Sequence, residues 1–183
     1  MAATLSHVTG LLDAAGLKYA TRDEYVLISF TMDRYTDASG DKTLKLIVQL
    51  ENDGRYFKLF APKAFVAAGE HADAFLRAAT IVQWRTKLIQ FEFDPSDGEV
   101  RPIVEFPLED AVLTQAQLEM CIRGMVSLMD QYYEPLHRAI TTGEVEFDDG
   151  PAVGALSETL SRYSPEEIAE ALRLADERRR GEA

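Results

Sequence analysis

The stretch TLKLIVQLENDGRYFKLFA (43–61) constrains the fold more than any other part of the chain. Apolar residues at alternate positions predict a strand with one buried face, and they are Leu44, Leu46, Val48 and Leu50. ENDG (51–54) then supplies residues that tolerate the positive φ angles of a tight turn, and RYFKLFA follows as a second strand. The chain is therefore predicted to contain an antiparallel sheet with one covered face.

Three further strands follow from the same reasoning. YVLISFTM comes after a turn at Arg22–Asp23, and the polar RYTDASGDK (34–42) reads as a hairpin loop. KLIQFEFD and EVRPIVEFPLE are joined by PSDG (95–98), which is a second hairpin signal. The last two strands each have a predicted apolar face. In KLIQFEFD it consists of Ile89, Phe91 and Phe93, and in EVRPIVEFPLE it consists of Val100, Val104 and Phe106. Pro102 predicts an edge strand or a bulge.

Three helices are predicted, over residues 4–15, 72–84 and 115–140. The first has apolar residues at helical spacing and a stop at Gly16. The second places a set of apolar residues near one face: Phe75, Leu76, Ala79, Val82 and Trp84. The third begins with a capping box of Thr114 and Gln117, and Pro135 is expected to kink or loosen its last turn.

The third helix carries a heptad-like apolar seam: Leu118, Ile122, Met125, Met129, Tyr132 and Leu136. Cys121 and Leu128 add a second apolar strip, so this helix is expected to contact both the sheet and something else. Cys121 is expected to pack as a small apolar residue.

The tail differs in composition. Residues 143–163 are acidic with Gly and Pro, which predicts a linker, and Ser164–Pro165 then opens a short helix over 164–183. The predicted fold is α+β, with an antiparallel five-stranded sheet and helices packed on one face in the order α-β-β-β-α-β-β-α. This domain spans 1–142, and the C-terminal helix is tethered to it.

The charge balance excludes some partners. The 31 acidic and 19 basic residues give a net charge of −12, which disfavours nucleic acid and anionic membranes as partners. The absence of a secretion signal pattern and of an apolar membrane-spanning run, with a single cysteine, predicts a cytoplasmic protein.

Three carboxylates surround Pro107 in EFPLEDAVLT (105–114): Glu105, Glu109 and Asp110. They could form an acidic active site, or they could mark the hinge where a strand passes to a helix. The hinge is favoured, because Glu105 alternates outward from a strand and the other two precede a capped helix, where negative charge stabilises the N-terminus.

No catalytic signature is present in the sequence. His7, His71 and His137 lack metal-ligand spacing and are expected at the surface, with Glu70 facing away from His71. Phosphate-binding glycine loops and a nucleophile elbow are also absent. We therefore predict no catalytic, cofactor-binding or metal-binding residues, and a protein that is not an enzyme. The alternative is a small-molecule sensor or enzyme with a pocket between sheet and helices, where Arg85, Glu92 and Arg101 would converge.

The stretch from Phe75 to Leu136 resembles the YbjN family, described as bacterial sensory transduction regulators. The resemblance covers about residues 4–142 and rests on Lys87 to Phe93, on Asp94 with Gly98, and on LTQAQL (113–118). It departs at Thr80, where family members commonly carry asparagine. It implies a fold similar to type III secretion chaperones, a dimer that binds an extended partner segment, and no catalytic residues to transfer.

The resulting functional hypothesis is a chaperone-like or regulatory protein-interaction module that forms a homodimer. It would bind a partner protein or peptide through a sheet edge or a helix groove. The C-terminal helix could occupy that groove in cis or dock in trans. The expected partner-binding residues lie on the third helix: Met125, Leu128, Met129, Tyr132, Tyr133 and Leu136. The tyrosines could also be core or dimer interface, and the protein could be a structural subunit of a larger complex.

Overall fold

An antiparallel sheet carries three helices on one face. The computed structural model describes residues 3–86 and 88–147. Its elements are α1 (Leu5–Ala14), β1 (Tyr19–Thr21), β2 (Tyr25–Thr31), β3 (Thr43–Glu51), β4 (Tyr56–Phe60), β5 (Phe65–Val66), α2 (Ala72–Arg85), β6 (Gln90–Phe93), β7 (Glu99–Pro107) and α3 (Gln115–Thr142). The strands lie in the order β1-β2-β3-β4-β7, with β5 beside β7 beyond the end of β4 and β6 on the other side of β7. The predicted α+β class is confirmed.

The register aligns one apolar row across the helix-covered face. Val48 pairs with Val26 on one side and with Leu59 on the other, and Leu59 pairs with Val104. All four side chains are buried. The alternation that predicted β3 therefore identifies its buried face correctly. Of the four apolar residues in that pattern, only Leu50 at the end of the strand is half-buried.

The described residues form seven strands, so the prediction of five was wrong by two short ones. The turn expected at Arg22–Asp23 is present, and the amide of Arg22 donates to the carbonyl of Tyr25. The turn joins β2 to β1, a strand of three residues, and the other missed strand, β5, has only two. Strands of this length are too short to show a period of two in the sequence.

Pro102 lies inside strand β7 and not at an edge, but it lies beside the bulge between β4 and β5, so the second alternative of that prediction is confirmed. Its carbonyl accepts a hydrogen bond of 3.1 Å from the amide of Ala61, just beyond the end of β4. The backbone N and O of one residue in an antiparallel strand point to the same side. The N of Pro102 therefore faces Ala61, at the point where the pairing of β4 with β7 ends, and its missing N–H limits that ladder.

The first two helices bury the faces that the sequence indicated, with one exception. Thr4 caps α1, and Val8 and Leu12 are buried beneath it. In α2 the buried residues include Phe75 and Val82. Trp84, expected near the same face, is 90% exposed, because two residues beyond Val82 a helix has turned about 200°.

The capping box at the start of α3 is confirmed, since Thr114 and Gln117 bond each other in both directions. The buried seam passes through Tyr133, whereas Tyr132, which was expected in it, is half-buried. The helix continues beyond Pro135 to Thr142, and Gly143 ends it with a φ of 77°. The predicted linker beyond Phe147 and the predicted helix over 164–183 lie outside the described residues.

Candidate functional site

A groove separates the C-terminal end of α1 from the first half of α3. Ala14 and Leu17 line one wall, Ile122 and Val126 line the other, and Phe30 of β2 forms the floor. The cavity has a volume of about 550 Å³. We call it the α1–α3 groove. Its lining is largely apolar and open to solvent, which is the usual character of a site that accepts an amphipathic segment.

The rim of the α1–α3 groove carries one ion pair. Glu119 and Arg123, one turn apart on α3, contact each other, and both line the groove together with Ser127. Arg123 is 76% exposed, so this pair contributes little to stability. It supplies both signs of charge at the edge of an apolar surface.

Contacts at the start of α1 set the position of this helix. His7 Nε2 lies 2.7 Å from the carbonyl oxygen of Leu113, in the connection that precedes α3. The amide of Ala3 donates to the carbonyl of Gly54 at 3.0 Å, in the turn between β3 and β4. The N-terminal end of α1 is thus tied to both neighbours, and the groove lies beside its other end.

The six expected partner-binding residues divide into two groups in the structure. Met125, Met129, Tyr133 and Leu136 are buried in the core of the chain. Leu128 and Tyr132 are half-buried. Partner binding by these residues stays a prediction. Val126, which does line the groove, was missed, although it lies four residues beyond Ile122 on the flank of the predicted seam.

The two outer strands of the sheet offer little room for strand addition. In β6 the amide of Phe91 donates to Gln83 Oε1 of α2 at 2.8 Å. In β1, which has three residues, Arg22 Nη1 donates to the carbonyl of Thr21 at 3.1 Å. Short strands whose polar groups are already bonded are a common protection of sheet edges.

The three carboxylates of EFPLEDAVLT lie along the connection from β7 to α3. Glu105 is opposite Lys58 on β4, with Oε2 3.9 Å from Nζ. Glu109 has a φ of 49°, and its amide donates to the carbonyl of Arg55 at 3.0 Å. Asp110 is exposed in the same turn. The hinge interpretation is confirmed by these positions.

The histidines contact different parts of the structure. His7 is half-buried against Leu113, and His137 stacks on Tyr133 with 5.1 Å between ring centroids. His71 Nε2 lies 3.3 Å from Glu70 Oε1, so the expectation that these neighbours face apart was wrong. Over residues 3–86 and 88–147, His, Cys, Asp and Glu form no group of three that could hold a metal ion. Within the same ranges, no helix has the length and apolar character that crossing a bilayer requires.

The hairpin loop between β2 and β3 is bound to α3 by one carboxylate. Asp130 accepts hydrogen bonds from the amides of Asp33, Arg34 and Tyr35 at 2.9–3.1 Å. Partial burial raises the pKa of Asp130, but the three N–H donors and the charge of Arg34 outweigh it and leave the pKa below its usual value. The carboxylate is therefore ionised at neutral pH and fixes the loop.

Aromatic side chains also bind the loop between β2 and β3 to the core. The Tyr35 hydroxyl donates to the carbonyl of Ala64 at 3.0 Å, and burial raises its pKa well above the usual value. The Tyr133 hydroxyl contacts that of Thr36. Tyr35 meets Tyr133 and Phe65 edge to face, which is a favourable ring geometry.

The three charged residues of the alternative hypothesis do not share a pocket between sheet and helices. Arg101 Nε lies 2.6 Å from Glu92 Oε2, in a cross-strand pair between β7 and β6. Both residues alternate with the side chains that face the helices, so they project from the opposite face of the sheet. Arg85 is exposed at the end of α2. No charged side chain is fully buried in the part of the chain that the structure describes.

Comparison with known proteins finds a likeness in fold among solved structures. No protein-family profile matches the chain. No curated protein matches it either. The fold is similar to the crystal structure of YbjN from E. coli, a candidate transcription regulator, with 13% sequence identity and a TM-score of 0.48. The alignment covers 74% of this chain and 91% of that one. A likeness at this level carries no functional argument, and membership of the YbjN family stays a prediction.

Proposed function

We propose that this protein is a non-enzymatic interaction module, chaperone-like or regulatory, that binds an amphipathic helical segment of a partner polypeptide in the α1–α3 groove. The observation that supports this proposal most directly is the apolar cavity of about 550 Å³ between two helices, with Phe30 as its floor. Grooves of this kind accept the apolar face of a helix whose anchors recur at three- and four-residue spacing.

The sheet edges support the choice of a groove over strand addition. The amide of Phe91 on β6 already bonds Gln83, and the carbonyl of Thr21 on β1 already bonds Arg22. An added strand would have to displace these partners, whereas a helix in the α1–α3 groove would displace only solvent. The mixed charge of Glu119 and Arg123 at the rim suits a partner helix with charged flanks.

Selection of peptides from a random display library on the immobilised protein tests the proposal. We expect the selected peptides to share apolar residues at helical spacing and to become helical on binding. Val126→Glu should weaken binding of the selected peptide by about tenfold or more, because it places a charge in the apolar wall. Ala116→Glu is the matched control, since Ala116 is also an apolar residue of α3 but is exposed and does not line the groove.

Two outcomes would contradict the groove. One is a selected consensus with alternating apolar residues whose binding perturbs the amides of β1 or β6, which would indicate strand addition. The other is an equal loss of binding in Val126→Glu and Ala116→Glu, which would place the peptide elsewhere.

The homodimer is a second part of the proposal. Trp84 is 90% exposed and Met120 is 66% exposed. Met120 is four residues before Gly124 on α3, and Leu88, four residues after Trp84, lies over Gly124. Trp and Met are enriched in the cores of protein interfaces. Light scattering should give twice the chain mass, and Trp84→Lys with Met120→Lys should give a monomer. A monomeric wild-type protein, or a double variant that stays dimeric, would exclude this surface.

A further inference from the structure

The sheet has a notch where β4 ends. The register of β3 with β4 stops at the pair Ile47–Phe60. On the other side, β7 pairs with β4 as far as Ile103 and with β5 from Val100 onward. Residues 62–64 therefore lie opposite the single residue Arg101, which is the geometry of a bulge. The bulge leaves the first half of β3 paired with β2 on one side and, within the described residues, without a strand on the side of β4.

Cationic side chains gather at this notch. Its cavity has a volume of about 440 Å³, and its lining includes Lys45, Lys63 and Arg101. Lys45 alternates with the buried Leu44 and Leu46, so it projects from the face of the sheet away from the helices. We call this cavity the sheet notch. Its lining shares no residue with that of the α1–α3 groove.

The acidic groups of the sheet notch are already used in backbone contacts. Glu99 Oε1 accepts a hydrogen bond of 2.8 Å from the amide of Lys63. Asp37 Oδ1 accepts from the amide and hydroxyl of Ser39 and from the amide of Asp41. The Ser39 hydroxyl bond lowers the pKa of Asp37, as do these amides and the charge of Lys45, although partial desolvation opposes them. Both carboxylates thus stabilise the loops that form the walls.

The cations keep N–H donors that form no hydrogen bond, although the charge of Lys45 acts on Asp37. Within the described residues, the ammonium groups of Lys45 and Lys63 make no hydrogen bond or ion pair. The guanidinium of Arg101 binds Glu92 through Nε and lies 5.1 Å from the ring centroid of Phe60. In the same described part of the chain, Nη1 and Nη2 form no hydrogen bond, although the charge of Arg101 also acts on Asp94. In a chain with 31 acidic and 19 basic residues, three cations thus lie around one cavity that two carboxylates, Asp37 and Glu99, also line.

Backbone strain accompanies the bulge. Lys63 has a φ of 50°, in the left-handed region that a lysine rarely adopts, and the Glu99 contact with its amide holds it there. Such strain costs about 1–3 kcal/mol and recurs at ligand-binding positions.

We propose that the sheet notch binds a small anionic ligand through a carboxylate or phosphate group held by Lys45, Lys63 and Arg101. Ammonium and guanidinium groups form charge-assisted hydrogen bonds with both kinds of oxygen anion. The cavity is large enough for a metabolite-sized ligand. This site is separate from the proposed peptide groove, and each can fail in experiment without the other.

Titration of the isotope-labelled full chain with inorganic phosphate and with succinate, at constant ionic strength, tests the proposal. We expect saturable chemical-shift changes at the amides of Thr43 and Lys63 for at least one of the two anions. The double variant Lys45→Gln with Lys63→Gln should weaken that binding by about tenfold or more, because it removes two charge-assisted contacts. Tighter binding of phosphate would indicate a phosphate-bearing ligand, and tighter binding of succinate a carboxylate.

The control variant Lys18→Gln with Arg77→Gln removes the same charge from exposed positions outside the sheet notch. It should change the affinity less than twofold, since screened distant charges contribute little. Thermal melts establish that each variant is folded. The proposal is overturned if neither anion binds saturably up to ~10 mM, which corresponds to negligible affinity. It is also overturned if the control variant weakens binding as much as the notch variant.

Discussion

The carboxylate of Asp130 accepts a hydrogen bond of 2.9 Å from the backbone amide of Tyr35, although 95 residues separate them in the sequence. Through this contact and those to the two preceding amides, α3 holds the loop that supplies Tyr35 to the core. The same loop provides Asp37 to the sheet notch. The attachment of the loop therefore matters for both stability and the proposed anion site.

Substitution of Asp130 should destabilise the fold in a graded way. Asp130→Ala removes all three acceptor contacts, and we expect the free energy of unfolding to fall by about 1–3 kcal/mol. Asp130→Asn is the matched control, because its amide oxygen can still accept the two bonds that Oδ1 now accepts, from Arg34 and Tyr35. The free energy of unfolding of Asp130→Asn, measured with urea, should lie between those of the wild type and Asp130→Ala. Equal stability of all three proteins would contradict the attachment.

The same carboxylate predicts an acid limit to stability. Although burial opposes it, the pKa of Asp130 in the folded protein is lowered by its amide donors, below the unfolded value of about 3.9. The contribution of Asp130 to stability is therefore complete at pH values above the unfolded pKa. It is lost as the pH falls through the lower pKa of the folded protein. Urea unfolding across this range should show stability declining below about pH 4, with a shallower decline in Asp130→Asn. An unchanged pH profile in the variant would exclude Asp130 as a source.

Gly54 should tolerate no side chain. A Cβ on Gly54 would fall on the carbonyl oxygen of Ala3, and its φ is 82°. Gly40 has a φ of 84° with open space around it, so Gly40→Ala tests the conformational cost alone, about 1–3 kcal/mol. We expect Gly54→Ala to lower the free energy of unfolding by clearly more, because the N-terminal segment must also move. Equal costs for the two variants in urea unfolding would mean that the contact with Ala3 has no energetic weight.

The sequence predicted those features that depend on neighbouring residues. The alternation around Val48 and the capping box of Thr114 are local patterns, and the structure contains both. The contact between Asp130 and Tyr35 arises only when α3 crosses the loop, and no local pattern encodes it. The α1–α3 groove likewise depends on the spacing of two helices, so Phe30 gave no signal as its floor. The sheet notch follows from a bulge opposite Arg101, and the register that creates it is a tertiary property.

The thiol of Cys121 should be unreactive until the protein unfolds. Its side chain is 4% exposed on the buried face of α3, and burial raises its pKa to about 11. Because the thiolate is the reacting species, both access and ionisation oppose modification at neutral pH. Ellman's reagent should react slowly with native protein and release one equivalent of thiolate in urea, since the chain has a single cysteine. Ala116→Cys in a Cys121→Ala background places a thiol at an exposed position of the same helix and should react at once. Rapid labelling of native Cys121 would show that α3 separates from the sheet far more readily than its buried seam implies.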